Sequence, residues 1–231
     1  MRRIKIICLI LALGAVAWCA FAAFDNGIKI RTYTIPSDKV KQDICIVLIT
    51  DLHSHIHGGD QTELANIIAA QNPDIIALAG DIADDDTPID GTRMLLEKIA
   101  DIAPCYYVTG NHEHWADDFD DIMEVISSYG VHMLRNRYET IAVRGDEILI
   151  AGIDDPSSKT AMSAAELEDM FADIADSPVF TLLLAHRPEK HDAYVEYGFD
   201  AVFSGHAHGG QVRLPMLLNG LYAPNQGWLP K

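Results

Sequence analysis

Five short polar blocks each stand directly after an apolar run, and this ordered alternation constrains the fold more than any single residue does. The blocks are Asp51-Leu52-His53, Gly80-Asp81, Gly110-Asn111-His112-Glu113, His186 and Gly205-His206-Ala207-His208; the runs before them span 44–49, 74–79, 105–108, 179–185 and 200–203. Short apolar runs bounded by turn signals predict buried strands. Each strand would deliver its polar block at its carboxyl end, where open α/β sheets place their sites. Residues two apart in an extended strand end point to one side, so the spacing predicts that Asp51 and His53 grip one ion and that His206 and His208 converge similarly. Carboxylate, imidazole and amide-oxygen donors together favour Mn, Fe or Zn over Ca, which takes oxygen alone, with Mg less suited to the histidines. Taken singly, Asp51 and Asp81 have a plainer reading as helix N-caps, and His186 as a satisfied structural histidine. A cap does not explain the paired histidines.

Between these strands, 61–70, 91–100 and 119–128 read as helices. The period then changes: 138–143 and 147–152 are strands joined through Arg144-Gly145-Asp146, a hairpin-like turn that argues for mixed sheets. A helix at 163–175 precedes the strand carrying His186, and 189–197 is another short helix. Residues 28–35 alternate apolar and polar and predict a half-buried strand, which Pro36-Ser37 ends. Cys45 and Cys105 lie in strand-like runs and read as buried thiols, with a disulfide between them left open.

The five blocks, in this order, resemble the pattern of the calcineurin-like metallophosphoesterases, D-x-H, G-D-x-x-D, G-N-H-[DE], a lone His and G-H-x-H. The surrounding Ser54, Leu184-Ala185-His186-Arg187-Pro188-Glu189 and Gly209-Gly210-Gln211 are similar to the membrane-anchored phosphodiesterase branch of that family. The resemblance covers 44–231 and implies an α/β (α+β mixed) fold, a four-layer αββα sandwich of two mixed β-sheets. Chains of this type usually continue past 226–231 with further strands, so the expected sandwich either lacks its C-terminal strands or closes its sheet another way. The resemblance places Asp51, His53, Asp81 and His208 on one divalent ion and Asp81, Asn111, His186 and His206 on the other, with Asp81 bridging. A bridging hydroxide would attack phosphorus. His112 is implied as general acid or electrostatic stabiliser, and Asp84 as the carboxylate that orients it. His55 and His57 fall outside the pattern and read as loop-lining residues, His114 and His191 as surface residues. Gly209-Gly210 suits either close backbone approach to a phosphate or a simple turn.

Arg2-Arg3-Ile4-Lys5 precedes an uncharged apolar run at 6–24. It reads as a signal anchor, with the domain held outside the membrane by the positive-inside rule, or as a cleaved signal peptide ending near Ala20-Phe21-Ala22 that would leave a secreted protein. The expected organisation is therefore 1–24 as anchor, 25–43 as leading strand and linker, and 44–231 as the metallophosphoesterase domain. The chain carries a net charge of -17, which disfavours nucleic acid as a partner and with it a nuclease of the same fold. The resulting expectation is a metal-dependent phosphoric ester hydrolase acting on a phosphodiester, pyrophosphate or phosphomonoester, on a lipid-linked or envelope substrate. Apolar residues at 214–222 and Trp228 could meet an acyl chain. The competing expectation is a non-catalytic relative that keeps a metal-binding or scaffold role.

Overall fold

The computed structural model describes residues 2–23, 27–172, 174–209, 222–223 and 226–228. The chain divides into two compact units, Tyr33–His206 and a second made of Met1–Thr32 with Ala207–Lys231.

The Tyr33–His206 unit is built on two sheets. In the first, β1 (Ile46–Ile49), β2 (Ile75–Ala79), β3 (Cys105–Val108) and β4 (His132–Met133) lie in that order and all run parallel. The crossovers α2 (Thr62–Ala70), α3 (Asp90–Ile99), the five-residue α4 (Asn111–Trp115) and α5 (Phe119–Ser128) connect them. In the second, β5 (Arg137–Val143) and β6 (Asp146–Ile153) form the expected antiparallel hairpin, while β7 (Phe180–Ala185) and β8 (Ala201–Phe203) add parallel to β6. Helix α6 (Ala164–Met170) precedes β7; a 3₁₀ turn (Pro188–Lys190) and α7 (His191–Glu196) precede β8. Two mixed sheets were expected; among the described residues only the second is mixed.

Alternation along the strands creates the layers. Ile76, Leu78, Cys105 and Tyr107 face a core shared with Ile68 of α2, Leu95, Leu96 and Ile99 of α3, and Ile122 and Ile126 of α5. Their neighbours Ile75, Ala77, Tyr106 and Val108 face the other way, onto Ile148, Ile150, Leu182 and Leu184 of the second sheet. The remaining parity of that sheet, Leu149, Ala151, Ile153, Leu183 and Ala185, meets Phe171, Ile174 and Tyr194. Helix, sheet, sheet and helix therefore stack in four layers. Each fully buried aliphatic side chain contributes about 1.5–3 kcal/mol. The six residues of β7 are all buried, because a strand covered on both faces tolerates no polar side.

The strand expected at 28–35 does not form. Tyr33 and Ile35 are both exposed, so the alternation has no sheet face to bury against. The helix expected at 163–175 starts at a Ser163–Glu166 capping box but closes at Met170. Cys45 and Cys105 are free thiols, Cys105 buried and Cys45 partly so.

In the other unit, Arg2–Ala23 forms a 22-residue helix, α1. Sequence reading made residues 1–24 a membrane-spanning anchor; among the described residues, no helix is long and apolar enough to cross a membrane. Two-residue strands β9 (Tyr222–Ala223) and β10 (Gly227–Trp228) pair antiparallel, with the Tyr222 and Trp228 rings edge to face. Gly210, Gln211 and most of the apolar stretch 214–222 lie outside the described residues.

Candidate metal centre

The carboxyl ends of β1, β2 and β3 meet those of β7 and β8. Beyond their last paired residues β1 and β2 stay laced together, since Asp51 N–H donates to Gly80 O (3.1 Å), His53 N–H to Asp81 O (2.9 Å) and Ser54 N–H to Ile82 O (3.0 Å). The second sheet does the same through Gly205 N–H to His186 O (3.1 Å). Yet these ends are not extended. Asp51, His53, Asp81 and His206 have φ of 52°, 50°, 51° and 63°, in the left-handed region, which costs an L-residue roughly 1–2 kcal/mol. The two-apart rule for strand ends therefore does not orient Asp51 and His53; tight left-handed turns do. Strain of this kind collects at functional sites.

Asp81 is the hub. It is fully buried, its Oδ1 accepts the His112 backbone N–H (2.9 Å), and its Oδ2 lies 3.0 Å from His186 Nε2 and 3.9 Å from His53 Nε2. Gly110 makes room for it: a side-chain carbon there would collide with Asp81 Oδ1 and stand 2.5 Å from the Asp81 nitrogen. Asp51 accepts the His206 N–H on both carboxylate oxygens (2.9 and 3.1 Å), joining β1 to β8. Donor atoms of Asp81, His186 and His206 lie within 4.8 Å of one another, as do those of His53, Asp81 and His112.

Three atoms of this cluster test whether cations fit. Asp81 Oδ2, Asn111 Oδ1 and His186 Nε2 are buried and have no hydrogen-bond partner among the described residues, a costly state for polar atoms. His186 Nδ1 sits 2.8 Å from Ala79 O, and a carbonyl only accepts, so Nδ1 carries the proton. A neutral ring then aims its Nε2 lone pair at a carboxylate oxygen. Only a proton or a metal cation relieves that opposition. Burial pulls the His186 ring down, but the Asp81 carboxylate outweighs it and lifts the ring to about 9, the proton standing where a cation fits. One carboxylate oxygen, one amide oxygen and one imidazole nitrogen form a donor set suited to a divalent transition metal.

The family model described as calcineurin-like phosphoesterase matches residues 45–210. The chain belongs to this family. Members of the family use divalent metals, in keeping with the donor cluster. The chain is 28% identical over 209 residues to YpbG of Bacillus subtilis (strain 168), covering 88% of this chain and 77% of that one. It is 29% identical over 154 residues to the metallophosphoesterase YkuE of the same organism, covering 64% and 51%. It is 25% identical over 201 residues to the transmembrane protein with metallophosphoesterase domain of Danio rerio, covering 80% and 45%. The chain thus spans about half the length of the latter two.

Around the donor cluster stand residues whose part the motif did not convey. His112 Nδ1 hydrogen-bonds Asp85 Oδ1 at 2.6 Å and lies 2.9 Å from Asp84 Oδ1. Asp84, the carboxylate expected to orient His112, lies 2.9 Å from the His112 Nδ1, while its Oδ1 also bonds His53 Nδ1 (2.8 Å) and its Oδ2 accepts the Thr87 N–H and hydroxyl; Asp85 makes the shorter contact to His112. The His53 and His112 rings meet edge to face at 4.3 Å. Glu113 is buried and accepts four backbone N–H groups, those of Asp81, Ile82, Ala83 and Gly110, at 2.7–3.0 Å. It ties the turn after β2 to the turn after β3. Buried Arg187 grips Asp155 through Nε and Nη2 and reaches His206 Nε2 with Nη1 at 2.8 Å. Burial, then the Arg187 charge, pull the His206 ring down to about 4. The Pro-flanked Arg beside His186 was the available sequence signal; its partner Asp155 lies 32 positions away.

Of the other histidines, His55 and His57 stack edge to face in the β1–α2 loop, and His191 is exposed. His114, expected at the surface, is half-buried, bonded to Thr109 Oγ1 (2.8 Å) and stacked on Phe119. His208 follows His206 by two residues and belongs to the second unit.

Proposed function

We propose that this protein is a metal-dependent phosphoric ester hydrolase with a dinuclear centre, acting on a phosphodiester, pyrophosphate or phosphomonoester. The observation that carries the reading is the approach of the buried atoms Asp81 Oδ2 and His186 Nε2 to 3.0 Å within the donor group Asp81, His186 and His206, with buried Asn111 Oδ1 also lacking a hydrogen-bond partner among the described residues. Asp51, His53, Asp81 and His208 would hold one ion, and Asp81, Asn111, His186 and His206 the other, as the family pattern assigns them. Mn, Fe or Zn suits these donors. Bound ions of this type supply Lewis acidity toward phosphoryl oxygens and lower the pKa of water.

The remaining work falls to side chains. Asp81 keeps its orientation through the His112 N–H on Oδ1, which leaves Oδ2 for the cations. His112 has its Nδ1 proton committed to Asp85, with Asp84 alongside, so Nε2 is the nitrogen that carries a proton to the leaving oxygen. Asp84 and Asp85 set the ring plane.

Membrane association through residues 1–24, with the catalytic domain on the extracytoplasmic side, belongs to the same reading. It rests on the basic residues ahead of the apolar run and on the name of the Danio rerio relative. A lipid-linked or envelope phosphate ester fits that location.

The test is Mn-dependent hydrolysis of bis-p-nitrophenyl phosphate by the full chain, beside Asp81→Asn and His112→Ala. Turnover lost in both, with metal content lost only in Asp81→Asn, is the expected pattern. A folded wild-type protein that binds two ions and hydrolyses neither diesters, monoesters nor pyrophosphates would support the scaffold role instead.

A further inference from the structure

Arg187 reaches into the metal cluster in a way that cannot persist once metal is bound. Its guanidinium only donates, so the 2.8 Å approach of Nη1 to His206 Nε2 requires a lone pair on Nε2. If His206 binds a cation through Nε2, that lone pair is taken. If it binds through Nδ1, the neutral ring carries its proton on Nε2, and two donors would then face each other. With either nitrogen as ligand, loading the metal breaks the Arg187–His206 bond.

The rest of the guanidinium stays put. Nε and Nη2 hold both oxygens of Asp155, a carboxylate that is 1% exposed, and Nη2 also reaches Ser157 Oγ at 3.4 Å. Asp155 is itself fixed through the Thr109 hydroxyl, which accepts its backbone N–H at 3.3 Å. Nη1 is thus left charged, buried and aimed at the metal cluster. Glu189 Oε1 stands 3.7 Å from Nη1, a charged neighbour beyond hydrogen-bond range, and a buried donor without a hydrogen bond is costly. The acceptor that arrives with the metals is the phosphoryl group of the substrate, and Arg is the side chain best suited to it. Resting on the phosphoesterase reading above, we propose that Arg187 is a substrate-binding residue, which exchanges His206 for a non-bridging phosphoryl oxygen when the centre is loaded.

Two features follow from this arrangement. Arg187 competes with the metal for His206, so its removal does not weaken metal binding. It also supplies positive charge to a phosphate that the acidic surface of the chain would otherwise repel.

The experiment measures Mn stoichiometry by elemental analysis and inorganic phosphate affinity by calorimetry on the full chain, for wild type and Arg187→Ala. The expected result is two Mn ions in both proteins and phosphate binding at least about tenfold weaker in the variant. Because Arg187→Ala strands the buried Asp155 carboxylate, the paired change Arg187→Met with Asp155→Asn is run beside it, and that protein decides the matter where the single variant does not fold. Two ions with wild-type phosphate affinity would overturn the proposal and leave the hydrolase reading standing. Loss of Mn in the variants alone would also overturn it, making Arg187 a support for His206. A folded wild-type protein that takes up no Mn would instead remove the metal-dependent reading itself.

Discussion

His112 is held by carboxylates rather than by a single partner, and the difference between Asp84 and Asp85 is measurable. Asp84 Oδ1 lies within 2.9 Å of both His53 Nδ1 and His112 Nδ1, whereas Asp85 Oδ1 serves His112 alone at 2.6 Å. Asp85→Asn should therefore lower kcat about 10–100-fold with metal affinity unchanged, while Asp84→Asn should lower kcat and also loosen the ion that His53 helps to hold, since second-layer partners of ligating histidines typically contribute about 10–100-fold in affinity. Steady-state kinetics with metal titration separates the two; identical effects on both quantities would sink the assignment. The Asp155–Arg187 pair sets a second residue-level expectation, in acid. Burial pushes the Asp155 carboxyl up, but Arg187 and Ser157 outweigh it and hold the group below its ordinary 3.8. A depressed folded value means the stabilisation is complete above pH 3.8 and is lost as pH falls through the lower folded value. Asp155→Asn should be less stable at neutral pH yet lose less of its remaining stability below about pH 4, as read from urea midpoints across an acid series. A slope equal to wild type there would mean the pair does not titrate with folding.

At the scale of elements, the inter-sheet core carries the architecture that delivers the site. Leu182 is fully buried on β7, between the sheets and four residues before His186. Leu182→Ala should cost about 2–5 kcal/mol, seen as a lower urea midpoint at unchanged m-value; a loss below about 1 kcal/mol would mean the two sheets do not share this core. Such strands were legible because a continuous apolar run flanked by polar blocks admits few other folds, and 105–108 was recovered to the residue. What escaped reading lacked a pattern to read. The two-residue β4 is too short for any period, and the five-residue α4, Asn111 to Trp115, starts on the motif residues Asn111 to Glu113. The alternation at 28–35 was genuine, but alternation only predicts a face, and no sheet supplies one. The left-handed turns at Asp51, His53 and Asp81 were illegible for a different reason: the residues are ordinary, and the strain is imposed by the lacing of β1 to β2. Asp85 and Arg187 each stood beside a motif residue and Glu113 closed a motif, and only the folded geometry distinguishes a neighbour that bonds the site from one that does not.

For the whole molecule, the charge balance and the site pull in opposite directions. A net charge of -17 produces a field that opposes the approach of any phosphate ester, while Arg187 and bound divalent cations reverse the sign locally. The two effects differ in their response to salt. Exposed charges farther apart than about 8–10 Å are screened at roughly 0.1–0.15 M ionic strength, whereas a buried centre is screened far less. Raising NaCl from about 0.01 to 0.15 M should therefore lower KM for an anionic diester and leave kcat nearly constant. Single-stranded DNA, with one charge per nucleotide, should show the larger fall in KM and yet remain the poorer substrate, because no basic strip replaces the repulsion once it is screened. A KM that instead rises with salt would mean that a positive surface steers substrate inward, and would reopen the nuclease assignment that the composition argues against. Measuring both substrates across the same salt series, on one metal-loaded preparation, distinguishes long-range repulsion from a change in the centre, since only the latter would move kcat.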